Sequence, residues 1–144
     1  MGGTLTTIFT TSDGGQTFSP PKGEYDELFW EGDMLVYKTL EGIRYEFDRR
    51  LTSQLGILNK IVDTNGNTTQ FDYIERFDVP LLSEITDASG RRVTFAYGAE
   101  GGSQWDKIVQ LRETVNAQNP RTIQYDYDSS GNLTTVTDNR FYDG

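Results

Sequence analysis

The residues with the clearest potential for chemistry are the acidic ones, since Asp and Glu outnumber Lys and Arg by 22 to 13. Asp72, Asp126 and Asp128 are the carboxylates that a glycoside hydrolase would need, as a pair about 5–9 Å apart with one raised pKa. The chain has no histidine and no cysteine, so the commonest general base and thiolate chemistry are absent. Because acids are spread through turns and outward strand positions, as solvated acids are, we predict no catalytic residue and no enzyme.

A second candidate is Asp63-Thr64-Asn65-Gly66-Asn67, which is similar to the start of a calcium-binding loop. An EF-hand loop needs glycine at its sixth position and glutamate at its twelfth. Here Gly66 is fourth and Ile74 is twelfth. A turn whose side chains bond nearby backbone is therefore favoured, and we predict neither a metal site nor a cofactor.

Aromatic side chains form a third candidate group, because rings with a polar tip suit stacking against sugars. Tyr73, Tyr97 and Tyr127 share one predicted strand face with Phe71, Phe95 and Tyr125, which favours a structural ladder across a sheet. Trp30 and Trp105 fall outside this pattern and are the better candidates for facing a ligand. A carbohydrate therefore stays among the predicted partners.

The net charge of −9 disfavours nucleic acid and anionic lipid as partners. No apolar run approaches the ~20 residues of a membrane span, so no membrane insertion is predicted. The N-terminus lacks the basic and apolar regions of a signal peptide. Its first residues, Met1-Gly2-Gly3, are compatible with an added leader.

A repeat of 24 residues positions these groups: Gly42, Gly66 and Gly90 are evenly spaced, and an aromatic residue follows each by five positions. A fourth copy ends at Tyr125 after a six-residue insertion, and Ser130-Gly131 offers one more turn. The predicted structural residues of the repeat are Gly42, Gly66, Gly90, Gly131, Phe47, Phe71, Phe95, Tyr125, Tyr73, Tyr97, Tyr127, Asp63, Asp87 and Asp138.

A Leu-x-x-Ile-x-Asp motif precedes each turn, as in Leu58–Asp63, Leu82–Asp87 and Leu133–Asp138, with a looser copy at Trp105–Val109. The odd spacing would put Leu and Ile on opposite faces of a regular strand. Such a strand is either bulged or covered on both sides.

The second half of the repeat alternates apolar and polar residues, which predicts a half-buried strand. Tight-turn dipeptides such as Asn65-Gly66 and Ser89-Gly90 require glycine at positive φ. We therefore predict an all-β fold, an antiparallel sheet of repeated β-hairpins, with Phe71, Phe95 and Tyr125 buried side by side. A short helix within residues 99–118 is the alternative for the least regular stretch.

One domain is predicted, with residues 1–40 as an entry segment of short strands and residues 41–144 as the repeats. Tyr125–Asp138 resembles a complete YD/Rhs repeat, and Val62–Asn67 and Ile85–Arg91 resemble its Asp-x-x-Gly-Arg/Asn turn. Thr39–Asp48 resembles the strand that opens such arrays. The chain departs from the pattern at Arg49, at Pro120 and in the insertion.

The resemblance implies a spiral segment of the β-shell found in bacterial Rhs proteins, teneurins and insecticidal toxin complexes. Its implied function is a scaffold that encloses or presents a C-terminal effector or adhesive domain, in a secreted or cell-surface parent protein. The implied partner is the remainder of a larger Rhs-type protein or another copy, through an exposed sheet edge within residues 121–138. The alternatives are a carbohydrate-binding adhesion module and a polysaccharide-active enzyme.

Overall fold

The computed structural model describes residues 7–49, 56–114 and 120–139, and its regular elements are β-strands. The ten strands are β1 (Glu27–Glu31), β2 (Met34–Lys38), β3 (Arg44–Asp48), β4 (Ile57–Val62), β5 (Thr68–Arg76), β6 (Val79–Thr86), β7 (Arg92–Tyr97), β8 (Ile108–Thr114), β9 (Arg121–Tyr127) and β10 (Leu133–Asn139). They follow one another in chain order in one antiparallel sheet. The predicted fold class, an antiparallel sheet of repeated hairpins, is confirmed.

None of the described residues is helical, and none therefore forms a helix that could cross a membrane. The helix alternative for residues 99–118 is wrong over its described part, because Ile108–Thr114 form β8. Val115, the predicted leader Met1-Gly2-Gly3 and the last residues, 140–144, lie outside the described ranges.

Contacts divide the chain into two compact units, residues 1–68 and 69–144. In the first unit the predicted entry segment contains β1, β2 and an isolated bridge between Thr10 and Ser19. The ring of Phe9 lies edge-on to Tyr37, with ring centroids 6.1 Å apart. Phe9, in the part of the entry segment before β1, therefore packs on the face of the sheet that carries Tyr37 and its cross-strand neighbour Tyr45.

On the opposite face of the first unit, Val36 is the one apolar side chain among the described residues that is fully buried. It lies in a cross-strand row with Phe29, Glu46 and Lys60. Glu46 is itself buried and pairs with Lys60 at 2.9 Å. The aliphatic stem of a lysine such as Lys60 can cover apolar neighbours while its charged end stays accessible to water.

The Leu-x-x-Ile strands are bulged, which decides between the two alternatives that the sequence left open. In β6, Glu84 lies opposite Asp72 and Leu82 lies opposite Tyr73, so Ser83 is inserted between two pairs. The inserted residue restores Leu82 to the face that carries Ile85. The equivalent inserted residues are Asn59 in β4, Val109 in β8 and Thr134 in β10.

The predicted looser copy at Trp105–Val109 is wrong by three residues. The bulged motif of β8 is Ile108–Leu111, in which Ile108 lies opposite Tyr97 and Leu111 lies opposite Phe95. Trp105 belongs instead to the loop that joins β7 to β8. The strand β8 thus contains the apolar pair of the motif, but with isoleucine in the first position and leucine in the second.

The predicted burial of Phe71, Phe95 and Tyr125 side by side is wrong. All three are half-buried, and each lies opposite an aliphatic residue on the next strand: Ile85, Leu111 and Val136, respectively. Aromatic and aliphatic strands alternate in the second unit because each repeat contributes one of each. The face is therefore a mixed apolar surface, and among the described residues it has no fully buried side chain.

The strand β10 is exposed along its whole length. Its apolar side chains Leu133 and Val136 are 53% and 54% exposed, on the face that carries Tyr127 and Tyr125. Within the described residues β10 pairs with β9 on one side, and it is the last strand in the order of the sheet. The backbone N–H and C=O groups of an edge strand are available to another strand.

Candidate functional site

One turn geometry recurs in both units. The predicted turn residues Asp63 and Asp87 are each the first residue of such a turn. The backbone N–H of Gly66 donates to the carbonyl of Asp63, and the N–H of Asp63 donates to the carbonyl of Asn67. This is the pattern of a three-residue hairpin loop with a type I turn and a glycine at positive φ. Gly66, Gly90 and Gly131 have φ values of 84°, 80° and 81°, as predicted, and Gly42 has a φ of 93°.

The aspartate side chain completes each of these turns. One oxygen of Asp63 accepts the N–H groups of Asn65 and Asn67, both at 2.8 Å, and the other accepts the Asn67 side-chain amide. Asp87 and Asp128 accept equivalent bonds, and Arg91 takes the place of the asparagine in the turn of Asp87. These bonds match the predicted side-chain-to-backbone turn rather than a calcium loop.

The same bonds set the acidity of the turn aspartates. The Asn67 side chain, with three backbone N–H groups, lowers the pKa of Asp63, and Asn132 does the same for Asp128. Partial desolvation opposes the shift at Asp87, but the Arg91 side chain and nearby N–H groups still lower its pKa. Carboxylates held ionised in this way are poor general acids, and no described group of three or more His, Cys, Asp or Glu residues is placed to hold a metal.

Asp138 was predicted to open a turn, and this is wrong. It lies within β10, opposite Ile123, and its two oxygens accept hydrogen bonds from Arg121 at 3.1 and 2.8 Å. The turn aspartate of this region is Asp128, which stands before β10 rather than after it. Because β7 and β9 run in the same direction, the turns of Asp87 and Asp128 lie at opposite ends of the second unit.

The predicted tyrosines bond the backbone of the bulged strands. The hydroxyl of Tyr97 donates to the carbonyl of Leu82, and the hydroxyl of Tyr127 donates to that of Ile108, both at 2.8 Å. Both carbonyls belong to the residue directly before the bulge. This engagement favours a structural role, although the rings themselves stay half-exposed.

The predicted ligand-facing residue Trp30 lines a depression of about 460 Å³ in the first unit. Its indole N–H donates to the carbonyl of Gly15 at 2.7 Å, and the guanidinium of Arg49 lies 5.1 Å from its ring centre. The loop containing Gly15 is held by Asp13, whose pKa is lowered by hydrogen bonds from Thr17 and its neighbours. The Trp30 ring therefore has an internal cation partner on one face.

Trp105 lies in the loop of residues 98–107, and its ring contacts Phe77, with centroids 5.1 Å apart and planes at 77°. Phe77 is not among the candidates predicted from the sequence. Phe77 and Asp78 form the turn between β5 and β6, and both have positive φ, 50° and 61°. Residues 77–78, 98–107 and 128–132 all lie at the same end of the second unit, which we call the loop end.

Two of the three carboxylates weighed for glycoside hydrolysis, Asp72 and Asp126, lie on β5 and β9, four strand spacings apart in the sheet. At about 4.8 Å per spacing this places them roughly 19 Å apart, beyond the reach of a catalytic pair. The carboxylate opposite Asp72 is Glu84, a pairing that the sequence did not predict. Gln70 bonds Asp72 and Arg92 lies 3.7 Å from Glu84, so both acids have polar neighbours on the sheet.

No protein-family model matches the chain, and no curated protein matches it either.

Proposed function

We propose that this chain is a structural repeat module, a piece of a β-shell scaffold of the Rhs/YD type that encloses or presents an effector or adhesive domain. The observation that carries the proposal is how the repeat uses its polar residues. The turn aspartates bond the backbone of their own turns, and at least two of the repeat tyrosines bond the backbone of the preceding strand. Their chemistry is thereby directed to holding the sheet, which supports a scaffold rather than an enzyme. Secretion or surface display belongs to the same proposal.

The partner in this proposal is a strand that pairs with β10, either from the remainder of a larger protein or from another copy. Asp138 is the one charged residue of β10, and it is already paired with Arg121. An antiparallel copy centred on Val136 would bring Asp138 opposite Thr134, so no like charges would meet. The same operation on β1, centred on Phe29, would bring Glu27 opposite Glu31, which is unfavourable.

Sedimentation velocity of the full chain over a range of concentrations tests this partner. We expect association that grows with concentration and that Val136→Lys abolishes, because lysine on an edge strand blocks strand addition. Ala96→Lys, an identical charge change on the exposed side of the internal strand β7, is the control and should still associate. A wild-type chain that stays monomeric at the highest concentration, with the amides of residues 121–138 protected from exchange, would contradict the proposal.

A carbohydrate-binding module is the second candidate, and the depression beside Trp30 is the observation that favours it. Gly14, Gly15 and Asp33 line this depression together with Trp30. A glycan array compares the wild type with Trp30→Ala and Trp105→Ala. Sugar binding lost in Trp30→Ala alone would favour this candidate, whereas an array without signal supports the scaffold.

The polysaccharide-active enzyme remains the third and weakest candidate. It requires bond cleavage that a single Asp→Asn change abolishes. Asp72→Asn is the informative variant, because Asp72 faces a second carboxylate across the strands. Reducing-end release from soluble polysaccharides by the wild type, lost in this variant, would replace the scaffold proposal.

A further inference from the structure

The turn between β5 and β6 has a phenylalanine at a position that such a turn disfavours. A two-residue hairpin turn with both residues at positive φ prefers Asn-Gly or Asp-Gly, because most side chains are strained there. This turn instead has Phe77 at 50° and Asp78 at 61°, the two described non-glycine residues with positive φ. The phenylalanine therefore does not serve the turn.

Nor does Phe77 serve a core, since it is 57% exposed. Its ring meets Trp105 edge-to-face, and the neighbouring strand residues Ile74 and Val79 are 37% and 42% exposed. Ile74 and Val79 share one face of the hairpin, because Arg76 lies opposite Val79 and Ile74 lies two residues before Arg76. We call Ile74, Phe77, Val79 and Trp105 the hairpin patch: Phe77 contacts the half-buried ring of Trp105, and the exposed residues Ile74 and Val79 lie within three positions of Phe77 in the same hairpin.

The hairpin patch is held in place before any partner arrives. The Arg76 guanidinium donates to the carbonyls of Gly98 and Trp105, at 2.6 and 3.2 Å, and lies 6.0 Å from the Tyr97 ring centre. The loop is also closed by its own backbone, with Gly98 N–H bonded to the Lys107 carbonyl at 3.1 Å. A fixed pair of aromatic rings is the usual anchor of a protein interface, since little conformational freedom is lost on binding.

Four acidic residues flank the patch residues in the sequence. Asp78 follows Phe77 and Asp106 follows Trp105, while Glu75 and Glu100 lie nearby in the same hairpin and loop. All four are exposed, and none forms an ion pair within the described ranges. An apolar centre with free negative charges around it is complementary to an apolar side chain flanked by Lys or Arg.

We propose that the hairpin patch is a docking site for a protein segment that presents an apolar side chain between basic residues. Phe77 and Trp105 are its anchors, and Asp78 and Asp106 attract the flanking cations. This site is separate from the β10 edge and does not depend on the scaffold proposal. A saccharide, which would use the same rings without the charges, is the competing ligand that the experiment distinguishes.

The decisive variant is Phe77→Asn combined with Asp78→Gly, which installs the preferred turn residues and removes the anchor. Its melting temperature should equal or exceed that of the wild type, so loss of binding cannot be attributed to unfolding. Val136→Thr, which changes an exposed apolar residue elsewhere in the same unit, is the matched control. Asp78→Asn with Asp106→Asn tests the charges alone.

The probe is a random 12-residue peptide library displayed on phage, selected on the full chain and counterselected on the double turn variant. We expect enriched peptides with Leu, Ile, Phe or Trp beside Lys or Arg. The turn variant should weaken the best synthetic peptide by about 10-fold or more, as removal of an interface anchor does. Added salt and the Asp→Asn pair should weaken it less.

Three results would overturn the proposal. Peptides that bind the turn variant as well as the wild type would show that the patch is not the site. Enrichment of acidic or uncharged peptides would refute the assigned chemistry. A glycan array signal that depends on Phe77, without any enriched peptide, would assign the rings to a saccharide instead.

Discussion

The hydroxyl of Tyr97 donates a hydrogen bond to the carbonyl oxygen of Leu82, 15 residues earlier in the chain. That carbonyl stands next to Ser83, the residue inserted in the β6 bulge. Tyr127 makes the same bond to Ile108, next to the bulge of β8. A bulge interrupts the ladder of backbone bonds, and the tyrosine supplies a donor at the point of interruption.

Removing this donor should weaken the sheet. Tyr97→Phe should lower the free energy of unfolding by about 0.5–1.5 kcal/mol, the usual net value of one hydrogen bond. Urea denaturation measures the change. Tyr25→Phe is the control and should have no effect, because Tyr25 is 72% exposed. Equal stability of Tyr97→Phe and wild type would show that water replaces the bond.

A turn glycine should tolerate substitution less well than its neighbour. Gly90 has a φ of 80° and open space around the position of a Cβ atom, so the cost of a side chain there is purely that of the backbone. Gly90→Val should therefore destabilise by at least about 1 kcal/mol. Ala88→Val, in the same turn, should cost less. Thermal denaturation compares the two variants, and the opposite order would contradict the turn geometry.

Half-burial moderates the expected effect of truncating an aromatic residue. A fully buried phenylalanine costs about 3–5 kcal/mol when replaced by alanine, and Phe95 is only half-buried. We expect about 2 kcal/mol for Phe95→Ala, and little change for Thr94→Ala on the other face of β7. Equal melting temperatures of the two variants would refute the assignment of the apolar face.

Acid should destabilise the protein through its turns. The pKa values of Asp63, Asp87 and Asp128 are lowered in the folded chain from the usual 3.8, so these residues favour folding while they are ionised. Their contribution is present above pH 3.8 and is lost as the pH falls through their lowered values. The melting temperature, measured from pH 6 to pH 2, should decrease once the pH is below about 4.

The variant Asp128→Asn isolates one of these turns. An asparagine keeps an acceptor for the backbone N–H groups but has no charge to titrate, so its melting temperature should depend less steeply on pH than that of the wild type. Asp33→Asn, an exposed acid in the turn between β1 and β2, is the matched control and should leave the slope unchanged. If the melting temperature of Asp128→Asn depended on pH as steeply as that of the wild type, the assigned link between this turn and acid stability would be contradicted.

The features that the sequence predicts correctly are local ones. The glycines of the Asp-x-x-Gly turns were identified because a turn depends on four or five adjacent residues, and the alternation around Phe95 identified a strand. The bulge at Val109 was missed because a bulge is defined by its partners, Ala96 and Tyr97, on another strand. Trp105 was consequently assigned to the wrong element.

The hairpin patch was out of reach of the sequence for a similar reason. Its turn has no glycine, asparagine or proline at Phe77 and Asp78, and Asp78 alone is a weak turn signal because aspartates occur throughout the chain. Its geometry depends on Arg76, which bonds carbonyls 22 and 29 residues away. Contacts between residues so far apart in the chain leave no periodic pattern in the sequence. Asp138 failed in the opposite way, because it matches the repeat motif but its partner Arg121 keeps it in a strand.

The order of the strands has a consequence for how fast the protein folds. Since each strand of the second unit pairs with the one before it in the chain, even the tyrosine bonds join residues only 15 and 19 positions apart. Such a topology has a low contact order for a β protein, and the entropy lost in closing each loop is correspondingly small. Folding can begin at any Asp-x-x-Gly turn and spread strand by strand, so that each repeat forms on the edge of the previous one.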